Sequence, residues 1–119
     1  TLIMEATLSD DNKWLEAVNI PNKGAIPNLP DDLVVEVPAY ANKNGIKAHQ
    51  MEPLPEGIAA IIRLHGSIHK LLVEAYREAS KDKLMQAILI EPTVNSYRNA
   101  VDMCNEMLSL QKHVLPKIE

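Results

Sequence analysis

Between Asn19 and Pro38 the chain reads Asn-Ile-Pro-Asn-Lys-Gly-Ala-Ile-Pro-Asn-Leu-Pro-Asp-Asp-Leu-Val-Val-Glu-Val-Pro, a dense run of turn-forming residues ending in a β-rich stretch. Pro21, Pro27, Pro30 and Pro38 fix φ and push the residues before them toward extended geometry. Asn22, Gly24 and Asn28 take positive φ at low cost. Local constraints at this density predict a fixed, closely packed loop that feeds a strand; a tolerant connector would not need them.

The strand itself is legible. From Leu33 to Tyr40 the residues alternate, with Leu33, Val35 and Val37 on one face and Val34 and Glu36 on the other. Trp14 to Ile20 reads as a shorter strand leading into the loop. Asn42-Lys43-Asn44-Gly45 turns the chain, and the Asn-Gly step predicts an antiparallel return over Ile46 to Gln50. Ahead of these, Thr1-Leu2-Ile3-Met4-Glu5-Ala6 has the look of a helix entered midway, ended by Asp10-Asp11-Asn12. With no Met at position 1, the chain is expected to be a piece of something longer.

From Pro55 onward the period becomes helical. Ile58, Ile61, Ile62, Leu64, Ile68, Leu71, Leu72, Ala75, Tyr76 and Ala79 recur at three- and four-residue steps. Ser80 and Asp82 break that run and cap a shorter helix carrying Leu84, Ala87 and Ile88, which Pro92 stops. Asn95 or Ser96 caps a third helix whose stripe is Tyr97, Val101, Cys104, Leu108, Gln111 and Leu115, flanked by Met107 and Val114 and closed by Pro116. The expected class is α+β: a small antiparallel strand and hairpin region followed by three helices.

At 119 residues with 46% apolar content, the chain has the length of one domain. A net charge of −4, three Tyr, one Trp and no Phe leave neither a basic stripe nor a set of stacking rings, which argues against a nucleic-acid partner. No apolar run approaches the roughly 18 residues that a membrane-spanning helix needs, so a membrane partner is not expected. Cys104 is the only cysteine and has apolar neighbours, which predicts a reduced, packed thiol and fits a cytoplasmic protein.

The residues that carry chemistry elsewhere form no complete set here. His65 and His69 stand one helical turn apart, as zinc ligands on a helix do. The residue after the first His is Gly66, where a metalloprotease places its Glu, and no third ligand is evident. Solvated or hydrogen-bonded histidines are the better reading. Cys104 has no base beside it to make it a nucleophile. Asp31 and Asp32 lie where Asp is ordinary turn chemistry. Glu36, inside Leu-Val-Val-Glu-Val, fits either a solvated sheet face or a buried, paired carboxylate, and the solvated face is favoured.

The Asn19–Pro38 block, read with Pro53-Leu54-Pro55-Glu56-Gly57-Ile58-Ala59-Ala60-Ile61-Ile62-Arg63, Leu72-Val73-Glu74-Ala75, Asp82-Lys83-Leu84-Met85-Gln86-Ala87-Ile88-Leu89-Ile90-Glu91-Pro92 and His113-Val114-Leu115-Pro116, resembles the C-terminal region of glycoside hydrolase family 4. The likeness runs over nearly the whole chain. Its most specific part is Asn-Ile-Pro-Asn-x-Gly-x-Ile-x-Asn-Leu-Pro followed by Val-Glu-Val-Pro.

That resemblance implies a domain similar to the C-terminal domain of lactate and malate dehydrogenases, joined in the parent to its own N-terminal NAD-binding domain. It implies a glycosidase that uses NAD and Mn2+ in place of the ordinary carboxylate pair. The implied route oxidises the sugar at C3, so that the proton at C2 becomes acidic, the glycosidic oxygen leaves by elimination, and water and the hydride then return. The glycine-rich loop, the metal ligands and the base of that route belong upstream of the matched region, so residues 1–119 are expected to be inactive alone and to bind no NAD or Mn2+ alone. Asn22, Asn28 and Glu36 are the substrate-proximal candidates, chosen as polar groups within the block. Glu91 stands where many members have Asp, a difference expected to touch only a helix end. A sugar glycoside as substrate and a homo-oligomer are implied too, with an unphosphorylated sugar or uronide preferred among the glycosides. Two competing readings are a stand-alone binding or oligomerisation module, and the matching domain of a hydroxy-acid dehydrogenase, which the absence of a catalytic His in a suitable loop, together with the Asn19–Pro38 block, makes the weaker of the two.

Overall fold

In the computed structural model, which describes residues 2–118, the elements run α1 (Leu2–Ser9), β1 (Lys13–Pro21), β2 (Val34–Asn42), β3 (Gly45–Ala48), α2 (Glu56–Glu78), α3 (Lys81–Leu89) and α4 (Tyr97–Leu110). The expected α+β class is the observed one. The chain divides between Ala60 and Ile61 into two compact units.

The first unit is built on an antiparallel sheet in the order β1-β2-β3. Alternation along β2 sorts its residues as the sequence predicts: Val35, Val37, Ala39 and Ala41 are buried, while Val34, Glu36 and Tyr40 face outward. Helix α1 lies against β2. Ala6, Ala39 and Ala41 are fully buried, and side chains this small let helix and strand approach closely. Helix α1 ends where Asp10 enters the left-handed region at φ 56.

Pro38 shapes the sheet around it. The pairs Leu15↔Ala39 and Val18↔Val37 leave Glu16 and Ala17 together opposite Pro38, a β-bulge. The Pro38 carbonyl accepts the His49 N–H at 2.8 Å, but proline has no N–H to return. The β2–β3 ladder accordingly stops one pair earlier, at Ala39↔Ala48. The hairpin between β2 and β3 also departs from the simple Asn-Gly expectation. Lys43 and Asn44 occupy the loop at negative φ, and Gly45, paired with Asn42, takes φ +105 as the first residue of β3. This is the pattern of a type I turn closed by a glycine bulge. Asn42 Oδ1 accepts the Asn44 N–H at 2.9 Å and steadies it.

In the second unit α2 ends in a Schellman motif. The Ser80 N–H donates to Ala75 O at 2.9 Å and the Ala79 N–H to Tyr76 O at 3.4 Å, with Ala79 at φ 52. Ser80 then begins α3, its hydroxyl accepting the Lys83 N–H at 3.3 Å. Ser96 does the same for α4 by accepting from Asn99 N–H. Helix α3 packs on α4, and Ile68, Ala75, Ala87, Ala100 and Cys104 form the buried centre.

Two expectations for α4 need correction. Tyr97 is 70% exposed and stands off the buried stripe, where Ala100 takes its place. The helix also stops at Leu110 instead of running to Pro116; the Leu115 N–H still reaches Gln111 O at 3.1 Å, but the intervening residues form turns. Proline disfavours helical geometry at the residue before it and offers no N–H, so the final turn loosens ahead of Pro116.

Candidate functional site

The segment between β1 and β2 is organised by one side chain. Asn22 is 1% exposed, and its Nδ2 donates to the carbonyl oxygens of Ile26, Leu29 and Pro30 at 3.0, 2.9 and 3.2 Å. Its Oδ1 accepts the Ile26 N–H at 2.7 Å. Every polar atom of the amide is thereby engaged with loop backbone, which would otherwise be buried without partners. The Asn22 N–H extends the β1–β2 ladder by donating to Leu33 O at 2.8 Å, and its carbonyl accepts from Ala25 N–H at 2.7 Å.

The left-handed positions fall on Gly24, as the sequence predicts, and on Lys23, which it does not. Lys23 at φ 44 and Gly24 at φ 82 carry them, while Asn22 and Asn28 do not. Asn22 spends its side chain as a staple, so the turn passes to the two residues after it. A left-handed lysine costs about 1 kcal/mol or more. The Lys23 N–H donating to Asp31 O at 3.0 Å helps to hold it there, so the turn around Asp31 and Asp32 closes the loop structurally.

A second layer of bonds ties the loop to residues 50–54. Asn28 Nδ2 donates to Leu54 O at 2.8 Å and Asn28 Oδ1 accepts Leu54 N–H at 3.0 Å. The Met51 N–H donates to Ala25 O at 2.8 Å, and Gln50 Nε2 donates to Gly24 O, also at 2.8 Å. Sequence reasoning missed Gln50 and Leu54, because a side chain paired with a distant backbone group leaves no periodic signal. The structure thus brings Asn22 and Asn28 into one loop, and it sets Glu36 apart. Glu36 is exposed on the outer face of β2, opposite Asn19 of β1, as the solvated-face reading expects. Trp14 and Tyr40 are cross-strand partners on β1 and β2, edge to face with ring centroids 4.9 Å apart, and His49 meets Trp14 at 5.4 Å.

The second unit holds the other groups singled out in the sequence. His65 Nδ1 lies 3.9 Å from Glu91 Oε2, and His69 is exposed. Among the described residues no three His, Cys, Asp or Glu side chains are grouped to hold a metal ion. Cys104 is buried and borders a strongly apolar cavity of about 260 Å³ with Leu72, Met107 and Leu115, as a core thiol does. Lys83, which carried no sequence signal, bridges Glu74 at 2.6 Å and Glu78 at 2.8 Å. Its hydrogen bond and charge hold the Glu74 carboxyl below its ordinary value of 4.5. The same bonds raise the Lys83 ammonium above 10.5.

Residues 1–94 match the model of the family 4 glycosyl hydrolase C-terminal domain. The chain is 36% identical over 110 residues to an alpha-glucosidase of Erwinia rhapontici, covering 92% of this chain and 24% of that protein. It is 32% identical over 99 residues to a maltose-6'-phosphate glucosidase of Clostridium acetobutylicum, covering 83% and 22%. A 6-phospho-alpha-glucosidase from gut microorganisms, solved in complex with NAD and Mn2+, superposes with a TM-score of 0.88 at 27% identity over 99% of this chain and 27% of that one. A 6-phospho-beta glucosidase from Thermotoga maritima, solved with manganese, NAD+ and glucose-6-phosphate, gives 0.86 at 26% identity over 96% and 28%. The chain therefore spans about a quarter of the length of the relatives it matches.

Proposed function

The chain belongs to the family 4 glycosyl hydrolases as their C-terminal domain, and from that premise we propose that residues 1–119 are the C-terminal part of a longer enzyme that hydrolyses O-glycosidic bonds by an NAD- and Mn2+-dependent oxidation and elimination. The remaining three quarters of such an enzyme includes an N-terminal NAD-binding domain, the partner of this one. The observation that carries the reading is the Asn19–Pro38 block, the most family-specific stretch of the sequence, whose loop is tied by Asn22 to its own backbone and by Asn28 to Leu54.

The residues present do not fit the metal. Among those described no suitable set of donors converges, Cys104 is buried in an apolar setting, and no glycine-rich phosphate cradle follows a strand. No step is therefore assigned to a side chain of this chain. Its part is to shape and support the sugar pocket: Asn22 and Asn28 act as positioning residues through the backbone they hold, and Glu36 is the polar group free to face a ligand from the sheet. Active sites of this kind lie where domains meet. Exposed Val73, Tyr76 and Leu110 support a parent in which further polypeptide, including a second subunit, covers apolar surface left open here. An unpaired, buried cysteine fits a reducing cytoplasm.

The mechanism is tested on the chain joined to its upstream portion, with glycosides deuterated at C2 or C3. Primary isotope effects at these positions are expected from oxidation and elimination. A rate unchanged by either label would mean displacement at the anomeric carbon and sink the reading.

A further inference from the structure

Asn44 precedes glycine, and no other asparagine of the chain does. The pair stands at the tip of the β2–β3 hairpin, where Asn44 is exposed. The carbon of a side-chain amide is open to attack by the backbone nitrogen of the next residue, and a Cβ on that residue crowds the approach. Gly45 has none, and nothing lies within 4 Å of where one would stand.

Hydrogen bonding sets Asn44 apart as well. The Asn22 amide is spent on the carbonyls of Ile26, Leu29 and Pro30, and that of Asn28 clamps Leu54. Asn42 Nδ2 donates to Asn12 Oδ1 at 3.3 Å, while Asn42 Oδ1 accepts the Asn44 N–H. Among the described residues the side chain of Asn44 itself makes no such bond. The hairpin tip also anchors its neighbour. Lys43 Nζ lies 2.6 Å from Asp10 Oδ2 and the Lys43 N–H donates to Asp10 Oδ1 at 3.4 Å, so that with the Asn42–Asn12 bond the tip is tied to the end of α1.

We propose that Asn44 is a site of spontaneous covalent modification whose conversion to isoaspartate releases the hairpin tip from the end of α1. The Gly45 nitrogen forms a bond to Asn44 Cγ and gives up its proton, the bond from Cγ to Nδ2 breaks, and ammonia leaves, closing a cyclic imide. Water then opens the imide at either carbonyl. Breaking the bond to Cγ gives aspartate, and breaking the bond to the main-chain carbonyl carbon gives isoaspartate; no oxidant or reductant takes part. Isoaspartate lengthens the main chain inside a turn closed by the pairing of Asn42 with Gly45. It also sets a carboxylate next to Lys43, where it competes with Asp10.

The test ages the 119-residue chain at mildly alkaline pH and follows it by anion-exchange chromatography and by mass spectrometry of its proteolytic peptides. Asn44 is expected to exchange its side-chain NH2 for OH ahead of every other asparagine, with isoaspartate among the products and Asn22 and Asn28 unmodified. The variant Asn44→Ser is expected to lose the early acidic species. Amide hydrogen exchange in the isolated isoaspartate species is expected to be faster than in the unaged chain at the hairpin tip and in the last turn of α1. An early acidic species that arises at another asparagine, that persists in Asn44→Ser, or that forms only when the chain is unfolded in urea overturns the site. Equal exchange in the two species overturns the release.

Discussion

Asn28 clamps the backbone of Leu54 with both ends of its amide, Nδ2 on the carbonyl at 2.8 Å and Oδ1 on the N–H at 3.0 Å, across 26 residues of sequence. The clamp anchors the far side of the loop that Asn22 staples from within. Asn28→Ala is therefore expected to lower the stability of the first unit by about 2 kcal/mol, the worth of two hydrogen bonds that are not fully buried. Urea unfolding followed by Trp14 fluorescence checks it, and an unchanged midpoint would show the clamp to be idle.

Asn22→Ala strands the carbonyls of Ile26, Leu29 and Pro30 and the N–H of Ile26 in a buried setting. The expected loss is about 3 kcal/mol or more, larger than at Asn28. Asn22→Asp adds a sign that pH reveals. A carboxylate facing three carbonyl oxygens disfavours its charged form, so its folded-state pKa is raised and the variant loses stability as pH rises. Unfolding midpoints of this variant that climb with pH across the carboxylate range would contradict the hub geometry.

Ala79 carries the left-handed position of the motif that ends α2. Ala79→Gly is expected to stabilise the second unit by about 0.5–1 kcal/mol, because glycine adopts this φ without a Cβ clash. Helical circular dichroism during thermal unfolding reads the effect; a lowered melting temperature would refute it.

The Lys83 bridge makes a pH prediction with two limbs. Glu74 is held below 4.5 in the folded state, so its contribution is present above that value and is lost as pH falls through the lowered folded pKa. Lys83 is raised above 10.5, so its contribution is present below that value and lost as pH rises through the raised one. Both groups are solvent-screened, and the effect is small and vanishes in molar salt. Comparing Glu74→Gln with the unaltered chain across both limbs at low salt measures it; identical profiles would remove the bridge from the account.

Much of the fold is legible in the sequence because it rests on period. The alternation of Val34, Val35, Glu36 and Val37 sets the faces of β2, and the spacing from Ile58 to Tyr76 sets α2. What escapes the sequence depends on partners far along the chain. The bulge at Glu16 and Ala17 exists because Pro38 lies opposite, and the left-handed turn falls on Lys23 because the Asn22 amide is spent on Ile26, Leu29 and Pro30. The block from Asn19 to Pro38 announces a rigid loop and the alternation of β2 turns Glu36 outward, but the sequence cannot say that the two asparagines bond inward to backbone. Polarity within a motif does not distinguish a staple from a surface.

The most direct measurement sets the 119-residue chain beside the same chain joined to its upstream portion, each assayed on chromogenic glycosides with NAD and Mn2+. The account predicts no turnover by the chain alone and turnover by the extended protein that disappears when NAD is withheld. Turnover by the chain alone, or by the extended protein regardless of NAD, would contradict it.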